Sequence, residues 1–317
     1  MNLKTIRIMS KNYTKFKSRF IPIVLFVIVF VIFFQIEKFQ DFLVVNLISQ
    51  LLIFLFAACI PAYLTKRMSY VDIAWPFGLI SIGIIVIFFG EGYLPRKIII
   101  SSLYLIAGLR MGLGALVLFK KGYLDKELPR YQFQRIRWNK KGFTNNSFSI
   151  QYEILLQCFA NITFLVIPAI LISNNSNEHF SIFEIIGFVL WIVFFLMEHV
   201  ADLQKQAFLI SAKKNKLKNQ VCNVGLWKYT RHPNYFSEWM IWNSLIFASF
   251  SSLIFYLDET FIFIGLLISL LYISILMYQT LVFLTGAIPS EYYSLSKRPD
   301  YKKYKENTNM FFPKLFK

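Results

Sequence analysis

The sequence is poor in charged residues, cysteine and histidine, and each shortage narrows the class of protein. Charged side chains make up 16% of its 317 residues, against about 25% in an average soluble domain. Three cysteines without paired or metal-type spacing argue against a disulfide scaffold or a cysteine zinc site, and Cys59, Cys158 and Cys222 are interpreted as unpaired thiols. His199 and His232 are too few to indicate a metal site. A glycine-rich dinucleotide fingerprint and a P-loop are also absent.

Apolar residues take the place of the missing charges. They make up 56% of the chain, and the mean hydropathy is +0.53. A membrane-spanning helix needs about 20 mostly apolar residues. We therefore predict an all-α, polytopic transmembrane helical bundle that contacts the lipid bilayer, with about eight spans and an amphipathic C-terminal tail. The predicted spans are Phe20–Ile36, Phe42–Leu64, Asp72–Phe89, Ile98–Phe119, Ile150–Ile172, Ile182–Asp202, Glu238–Leu257 and Thr260–Leu284.

The basic residues predict the orientation of these spans. The net charge is +17, and Lys and Arg concentrate in the N-terminal arm, in Lys120–Lys141, in Lys205–Arg231 and in Lys297–Lys317. Cytoplasmic loops carry such an excess, so both termini are expected to be cytoplasmic, in a bacterial inner membrane or the endoplasmic reticulum. Because this bias explains the charge, nucleic acid is not an expected partner. The oligomeric state is left open.

A compact polar segment lies between two apolar spans. It contains Arg231, His232, Asn234 and Tyr235, and Glu238 opens the following span. Polar groups at a membrane boundary are costly unless they have partners, so such a cluster indicates a functional site. Pro233 predicts that a helix begins there, which would aim free N–H groups at a bound anion.

Carboxylates on the preceding span form a second candidate group. Glu198 and Asp202 are four residues apart and share a helix face, and Gln204 and Lys205 follow. A ligand group or Arg231 between the carboxylates would relieve their repulsion. A polar helix end in contact with water is the alternative.

Two charged residues in the first half are candidates for catalysis. Asp72 lies at the entry of one span, and Arg110 lies well inside the next, where arginine is strongly disfavoured without a partner. An ion pair that joins two helices and a substrate site are equally compatible with these positions.

Several ordered motifs together resemble the DUF1295 group of membrane proteins, which is related to steroid 5-alpha-reductases. The main motif is Gly225-Leu-Trp-Lys-Tyr-Thr-Arg-His-Pro-Asn-Tyr235. The others are Val71-Asp-Ile-Ala-Trp75, Gly108-Leu-Arg110, Arg130-Tyr131, Glu198…Asp202-Leu-Gln204, Arg298-Pro-Asp-Tyr301-Lys-Lys-Tyr304 and Phe312-Pro313. The likeness covers about residues 70–315. It suggests an N-terminal part, 1–69, and a reductase-like domain, 70–317, whose cofactor-binding part spans about 190–317.

The resemblance implies an NADPH site and assigns residues to it. Glu198 and Asp202 match the family's first polar pair, with Glu198 replacing an Asn, and Asn234 and Glu238 match the second. The remaining expected cofactor residues are Gln204, Lys205, Arg231, His232, Tyr235, Arg298, Tyr301 and Tyr304. Asp72 and Arg110 are the candidates for polarising the substrate carbonyl.

The resulting hypothesis is a membrane-embedded, NADPH-dependent reductase of a lipophilic conjugated carbonyl compound. The short Arg-His-Pro-Asn-Tyr motif is also similar to isoprenylcysteine carboxyl methyltransferases. The first alternative is therefore an S-adenosylmethionine-dependent methyltransferase of a lipid-linked acceptor. A non-catalytic lipid-binding protein is the second.

Overall fold

The computed structural model describes the backbone from Leu3 to Lys314 and the side chains from Arg19 to Lys314. Every regular element in that part of the chain is helical, so the predicted all-α class is confirmed. The α-helices are α1 (Leu3–Phe34), α2 (Gln40–Phe54), α3 (Ile60–Thr65), α4 (Val71–Phe89), α5 (Leu94–Lys120), α6 (Pro129–Lys140), α7 (Asn146–Thr163), α8 (Ile167–Ser173), α9 (Ile182–Lys214), α10 (Pro233–Leu253), α11 (Thr260–Gln279), α12 (Ala287–Lys297) and α13 (Tyr301–Asn307). One-turn π-helical segments join α2 to α3 and follow α11.

Among the described residues, 7 helical stretches are long and apolar enough to cross a membrane. They are Glu37–Thr65, Met68–Phe89, Leu94–Lys120, Asn146–Ser173, Ile182–Lys214, Pro233–Tyr256 and Thr260–Lys297. The prediction of a multi-pass membrane protein is therefore confirmed. The first predicted span, Phe20–Ile36, falls on α1, whose described apolar part is the shorter stretch Arg19–Phe34. That span stays a prediction.

Helix α9 continues well past its predicted end at Asp202. It begins with a capping box formed by Ser181 and Glu184 and runs for 33 residues to Lys214. The prediction was wrong because it followed hydropathy alone. The chain after Asp202 holds good helix formers and contains no Pro or Gly before Gly225. At 1.5 Å per residue, α9 is roughly 50 Å long, so it outreaches a hydrocarbon core of about 30 Å.

The predicted span Ile150–Ile172 lies within the apolar stretch Asn146–Ser173, whose helix is broken between α7 and α8. The amides of Phe164 and Leu165 both donate to Ala160 O, at 3.0 and 2.9 Å, and α8 begins with Pro168 in its first turn. Proline lacks the N–H that a continuous helix requires.

The described chain divides into two compact units. The first comprises the chain up to Lys120, Ser147–Ser176 and Phe255–Ser269, and the second comprises Lys121–Asn146, Asn177–Ile254 and the chain from Leu270 onward. Asp72 and Arg110 belong to the first unit, and the predicted cofactor residues belong to the second. The proposed domain boundary at residue 70 stays a prediction.

The first unit contains a buried polar network that sequence reasoning missed. Gln50 Nε2 donates to Gly78 O at 2.9 Å, and Asn161 Nδ2 donates to Gln50 Oε1 at 3.2 Å. A Cβ atom on Gly78 would lie 2.2 Å from Asn161 Nδ2, so only glycine leaves room for these amides. Such interhelical hydrogen bonds satisfy polar groups that lipid cannot.

In the second unit, α9 and α10 approach closely at Gly187. A Cβ atom on Gly187 would lie 2.7 Å from both Ser244 O and Ala248 Cβ. Small residues at a contact allow two helix backbones to come together in a membrane protein. This packing brings the middle of α9 next to the beginning of α10, where the candidate site lies.

Candidate functional site

The chain enters α10 through a short irregular segment that ends at His232. Helix α10 begins at Pro233, as predicted, and His232 is its N-cap residue, with φ −139° and ψ 63°. Proline is suited to the first helical position because its φ is already helical and its missing N–H would have no partner there. Ser237 Oγ donates to Pro233 O at 2.8 Å, which tightens the first turn.

The C-terminal tail folds back onto the segment before α10. Arg231 N donates to Asn309 O at 2.9 Å, and Lys314 N donates to Tyr229 O at 2.9 Å. The Thr230 hydroxyl lies within hydrogen-bond distance of Met310 O and Phe311 O. The tail is thus tied by backbone contacts to the residues that the sequence identified as a site.

A buried cluster of Arg231, His232 and Glu291 stabilises the contact between the tail and the segment before α10. Arg231 Nε donates to Glu291 Oε1 at 2.7 Å, and both residues are only 5% exposed. Arg231 Nη1 also donates to Lys305 O at 3.1 Å and to Thr308 O. The guanidinium that was expected to contact the cofactor therefore has a carboxylate and two carbonyl partners. Arg231 stabilises the tail.

His232 shares the same carboxylate. Its Nε2 lies 3.2 Å from Glu291 Oε1, and its ring stacks on Tyr235 with centroids 5.4 Å apart. Burial lowers the pKa of His232, although the hydrogen bond to Glu291 opposes that effect. The imidazole is therefore neutral near pH 7. We assign the proton to Nε2, because an ionised carboxylate accepts only.

Asn234 is oriented by a carboxylate on α9. Asn234 Nδ2 donates to Asp202 Oδ1 at 3.1 Å, and its Oδ1 is a buried atom without a hydrogen-bond partner in the described structure. Because Asp202 accepts when ionised, it fixes the amide with its nitrogen toward α9. The orphaned oxygen is then an acceptor suited to a ligand donor.

The predicted residues after Asp202 support the loop that precedes the site. Gln204 Oε1 accepts from Leu226 N at 2.8 Å. Trp227 Nε1 donates to Ala201 O at 2.9 Å, and Lys205 Nζ lies 4.3 Å from the centre of the Trp227 ring. The extension of α9 beyond its predicted end is what places these side chains under the loop.

These elements enclose a cleft of about 300 Å³. It is lined by Lys205, Val221, Cys222, Trp227, Arg231, His232, Asn234, Tyr235, Ser290, Ser294, Arg298, Tyr301 and Tyr304. Four other predicted cofactor residues, Glu198, Asp202, Gln204 and Glu238, are not among the lining residues. Asp202 and Gln204 act through Asn234 and Leu226, as described above. Glu198 is buried on α9, and Glu238 is partly buried one turn after Asn234.

Two cations converge on the cleft near Cys222. Burial raises the pKa of the Cys222 thiol, and the charges of Lys205 and Arg298 oppose that effect. Arg298 Nη1 donates to Ser294 Oγ at 2.6 Å. Burial also raises the pKa of the Tyr301 phenol. The cleft is therefore lined by an uncharged thiol, an uncharged phenol and the positive side chains of Lys205 and Arg298.

Sequence reasoning missed several of these residues. Glu291, the centre of the ion cluster, was not predicted as a site residue. The available signal was a carboxylate two residues after Pro289, at the start of a tail rich in lysines and tyrosines. Cys222, Ser290 and Ser294 carry no motif, and only the fold brings them to the cleft.

The two predicted catalytic residues lie in the first unit. Asp72 is in the first turn of α4, and Arg110 is in α5, and both are partly buried. The two helices touch near Gly108, where an added Cβ atom would lie 2.8 Å from Pro76 O. Their catalytic role stays a prediction.

Comparisons with known proteins fit this organisation. The family model described as "Protein of unknown function (DUF1295)" matches residues 58–308. The chain belongs to this family. A relative, described as "Uncharacterized protein C594.04c" of Schizosaccharomyces pombe, is 24% identical over 271 residues, which cover 79% of this chain and 74% of the relative. No solved structure matches.

Proposed function

We propose that the protein is a membrane-embedded, NADPH-dependent reductase of a lipophilic conjugated carbonyl compound, an enone or enoyl substrate. The cleft in the second unit is assigned to the cofactor. The observation that carries the proposal is the orphaned Asn234 Oδ1 in a cleft that also holds Lys205 and Arg298. A buried acceptor without a partner is costly, and a nucleotide would supply a hydroxyl or amide donor to it and phosphate to the two cations.

The cleft volume limits which part of the cofactor it encloses. About 300 Å³ is at the lower end of the range for small-molecule sites. This space suits one nucleotide half of NADPH better than the whole molecule. The exposed carboxylate of Asp202 is hydrogen-bonded to Asn234, and the partly buried Glu238 lies one turn after Asn234 on α10. Both are assigned to the remainder of the cofactor.

Individual residues have distinct roles in this proposal. Lys205 and Arg298 bind phosphate, and Asn234 accepts a hydrogen bond, with its amide held by Asp202. Tyr301 and Tyr304 keep their phenol protons and form an uncharged wall. Arg231 and Glu291 hold the tail over the cleft and so limit the access of water.

The bound cofactor would supply a hydride to the β-carbon of the substrate, and a proton would then reach the α-carbon. A group that donates a hydrogen bond to the carbonyl oxygen stabilises the enolate that forms. Asp72 and Arg110 are proposed for that task. Apolar helices suit a lipophilic substrate.

A comparison of two cofactors tests the proposal. The full-length protein in detergent is heated with NADPH or with S-adenosylmethionine, because a ligand that binds only the folded state raises the unfolding temperature. Stabilisation by NADPH that Asn234→Ala reduces is expected. Stabilisation by S-adenosylmethionine alone would favour the methyltransferase alternative. A folded protein that responds to neither cofactor would favour the non-catalytic lipid-binding alternative.

The same proposal includes an orientation in the membrane. With α1 as an additional crossing, both termini and the cleft face the cytoplasm, where soluble NADPH is available. The basic residues of the tail and of the segment after Lys120 follow the positive-inside rule. Reporter fusions at the two termini and after Glu259 test it, and a reporter after Glu259 should lie on the opposite side.

A further inference from the structure

We propose that His232 contacts the cofactor directly, with Nδ1 accepting a hydrogen bond from a hydroxyl or amine of the bound nucleotide. Glu291 is then a positioning residue that keeps Nδ1 an acceptor. This inference rests on the proposed function of the cleft, and it assigns the chemistry of one wall.

The geometry gives the two ring nitrogens different surroundings. Nε2 lies 3.2 Å from Glu291 Oε1. In the described part of the chain, no hydrogen-bond partner is found for Nδ1, although His232 is 6% exposed and lines the cleft. A histidine that donates through one nitrogen presents a lone pair at the other. Nδ1 is therefore available to a ligand donor.

Charged groups around the ring disfavour the imidazolium form. Arg231 and Lys205 both act electrostatically on His232, and both oppose its protonation, whereas Glu291 favours it. Arg231 occupies the same carboxylate oxygen at 2.7 Å, and Lys305 Nζ lies 3.9 Å from the other oxygen. The negative charge of Glu291 is thus shared among several cations, and burial keeps the imidazole neutral.

A second acceptor lies two residues further along. Asn234 Oδ1 has no partner among the described residues, and Asp202 holds the amide nitrogen of the same side chain. In both His232 and Asn234, the nitrogen that donates is hydrogen-bonded to a carboxylate. The accepting atom of each side chain is therefore left for a ligand. Two acceptors beside the cations Lys205 and Arg298 fit a ligand that carries neighbouring donors next to an anionic group. The ribose diol and phosphate of a nucleotide have this chemistry.

A matched pair of substitutions separates ligand contact from support of the fold. In His232→Asn, the amide oxygen lies near the position of Nδ1, but the side chain is too short to reach Glu291. In His232→Gln, the amide reaches the position of Nε2 and keeps the contact with Glu291, but the acceptor at Nδ1 is lost. Asn is also a favoured N-cap residue. Both variants are made in the full chain, and their affinity for NADPH and their unfolding temperature are measured.

Loss of one hydrogen bond corresponds to about a tenfold loss of affinity. We expect His232→Gln to bind NADPH about tenfold more weakly with a small change in unfolding temperature. We expect His232→Asn to stay closer to the wild-type affinity despite a lower unfolding temperature. The affinity of the wild type should fall as the pH is lowered from neutral into the acid range, because protonated Nδ1 is a donor, and this fall should be smaller in His232→Asn.

Three results would overturn the inference in distinguishable ways. Wild-type protein that binds NADPH, with unchanged affinity in both variants, removes His232 from the ligand contacts and leaves the proposed function intact. Loss of affinity in His232→Asn but not in His232→Gln assigns His232 a structural role through Glu291. A folded wild-type protein that binds neither NADPH nor S-adenosylmethionine removes the proposed function and this inference together.

Discussion

Arg231 and Glu291 form a buried ion pair, with Nε and Oε1 2.7 Å apart, between the segment before α10 and the first helix of the tail. The pair joins residues that are far apart in sequence and holds the tail beside the cleft. Since Arg231 is already paired, Lys205 and Arg298 are the cations that remain for an anionic ligand among the described residues that line the cleft.

Removal of the carboxylate should strongly destabilise the protein. Glu291→Ala leaves the Arg231 guanidinium buried without its counter-ion, and breaking a buried pair in this way costs about 3–5 kcal/mol. The free energy of unfolding of the second unit should fall accordingly, as measured by thermal unfolding in detergent. Glu306→Ala, which removes an exposed carboxylate from the same tail, is the matched control and should have little effect.

The double variant Arg231→Met/Glu291→Leu should recover part of the stability that Glu291→Ala loses, because it leaves no unpaired buried charge. Similar stability of Glu291→Ala and Glu306→Ala would contradict the role given to the pair.

Acid should destabilise the wild type through His232. Burial lowers the pKa of His232 in the folded protein, whereas the unfolded chain titrates near 6.5. Between these values the unfolded state binds more protons, so the free energy of unfolding decreases as the pH falls below about 6.5. The variant His232→Gln lacks this group and should show a smaller decrease over the same pH range. Parallel pH profiles for the two proteins would show that His232 does not contribute.

Of the two adjacent phenylalanines in the tail, Phe311 should contribute more to stability than Phe312. Phe311 is 3% exposed and contacts Trp239 and Tyr278, whereas Phe312 is 50% exposed. Phe311→Ala should cost about 3–5 kcal/mol, as for other buried phenylalanines, and Phe312→Ala should cost clearly less. Unfolding temperatures of the two variants test the difference. Limited proteolysis should also release the tail faster in Phe311→Ala. Equal effects would mean that the tail does not dock through Phe311.

The turn before Trp227 requires glycine. Gly225 has φ +52°, and an added Cβ atom would lie 2.3 Å from Gln204 Oε1, which accepts from Leu226 N. Gly225→Ala should therefore destabilise the protein by about 1–3 kcal/mol, from left-handed strain and the displaced hydrogen bond. Gly114→Ala is a suitable control, because nothing lies within 4 Å of its added Cβ atom and alanine favours a helix. An equally stable Gly225→Ala variant would contradict the tight contact with Gln204.

Hydropathy was sufficient to predict the fold class and most membrane-spanning helices, because twenty consecutive apolar residues have few alternatives to a spanning helix. It could not predict where α9 ends, since the helix continues through polar residues to Lys214. Pro233 marked the beginning of α10 correctly because its ring restricts the backbone in any context.

The site was only partly predictable for a related reason. Arg231, His232 and Asn234 are neighbours in sequence and stood out together. Glu291 pairs with two of them from across the fold, and no local pattern marks such a distant partner. Arg231 was also expected to contact the cofactor, because the sequence does not reveal that its guanidinium is already paired with a buried carboxylate.

The most direct test of the cofactor assignment is an equilibrium titration of the purified full-length protein with NADPH. Asn234→Ala removes the acceptor that the cleft offers, and Asn307→Ala, on the exposed surface of α13, is the control. We expect saturable binding by the wild type and by Asn307→Ala, and about tenfold weaker binding by Asn234→Ala. Folded wild-type protein that does not bind NADPH would contradict it.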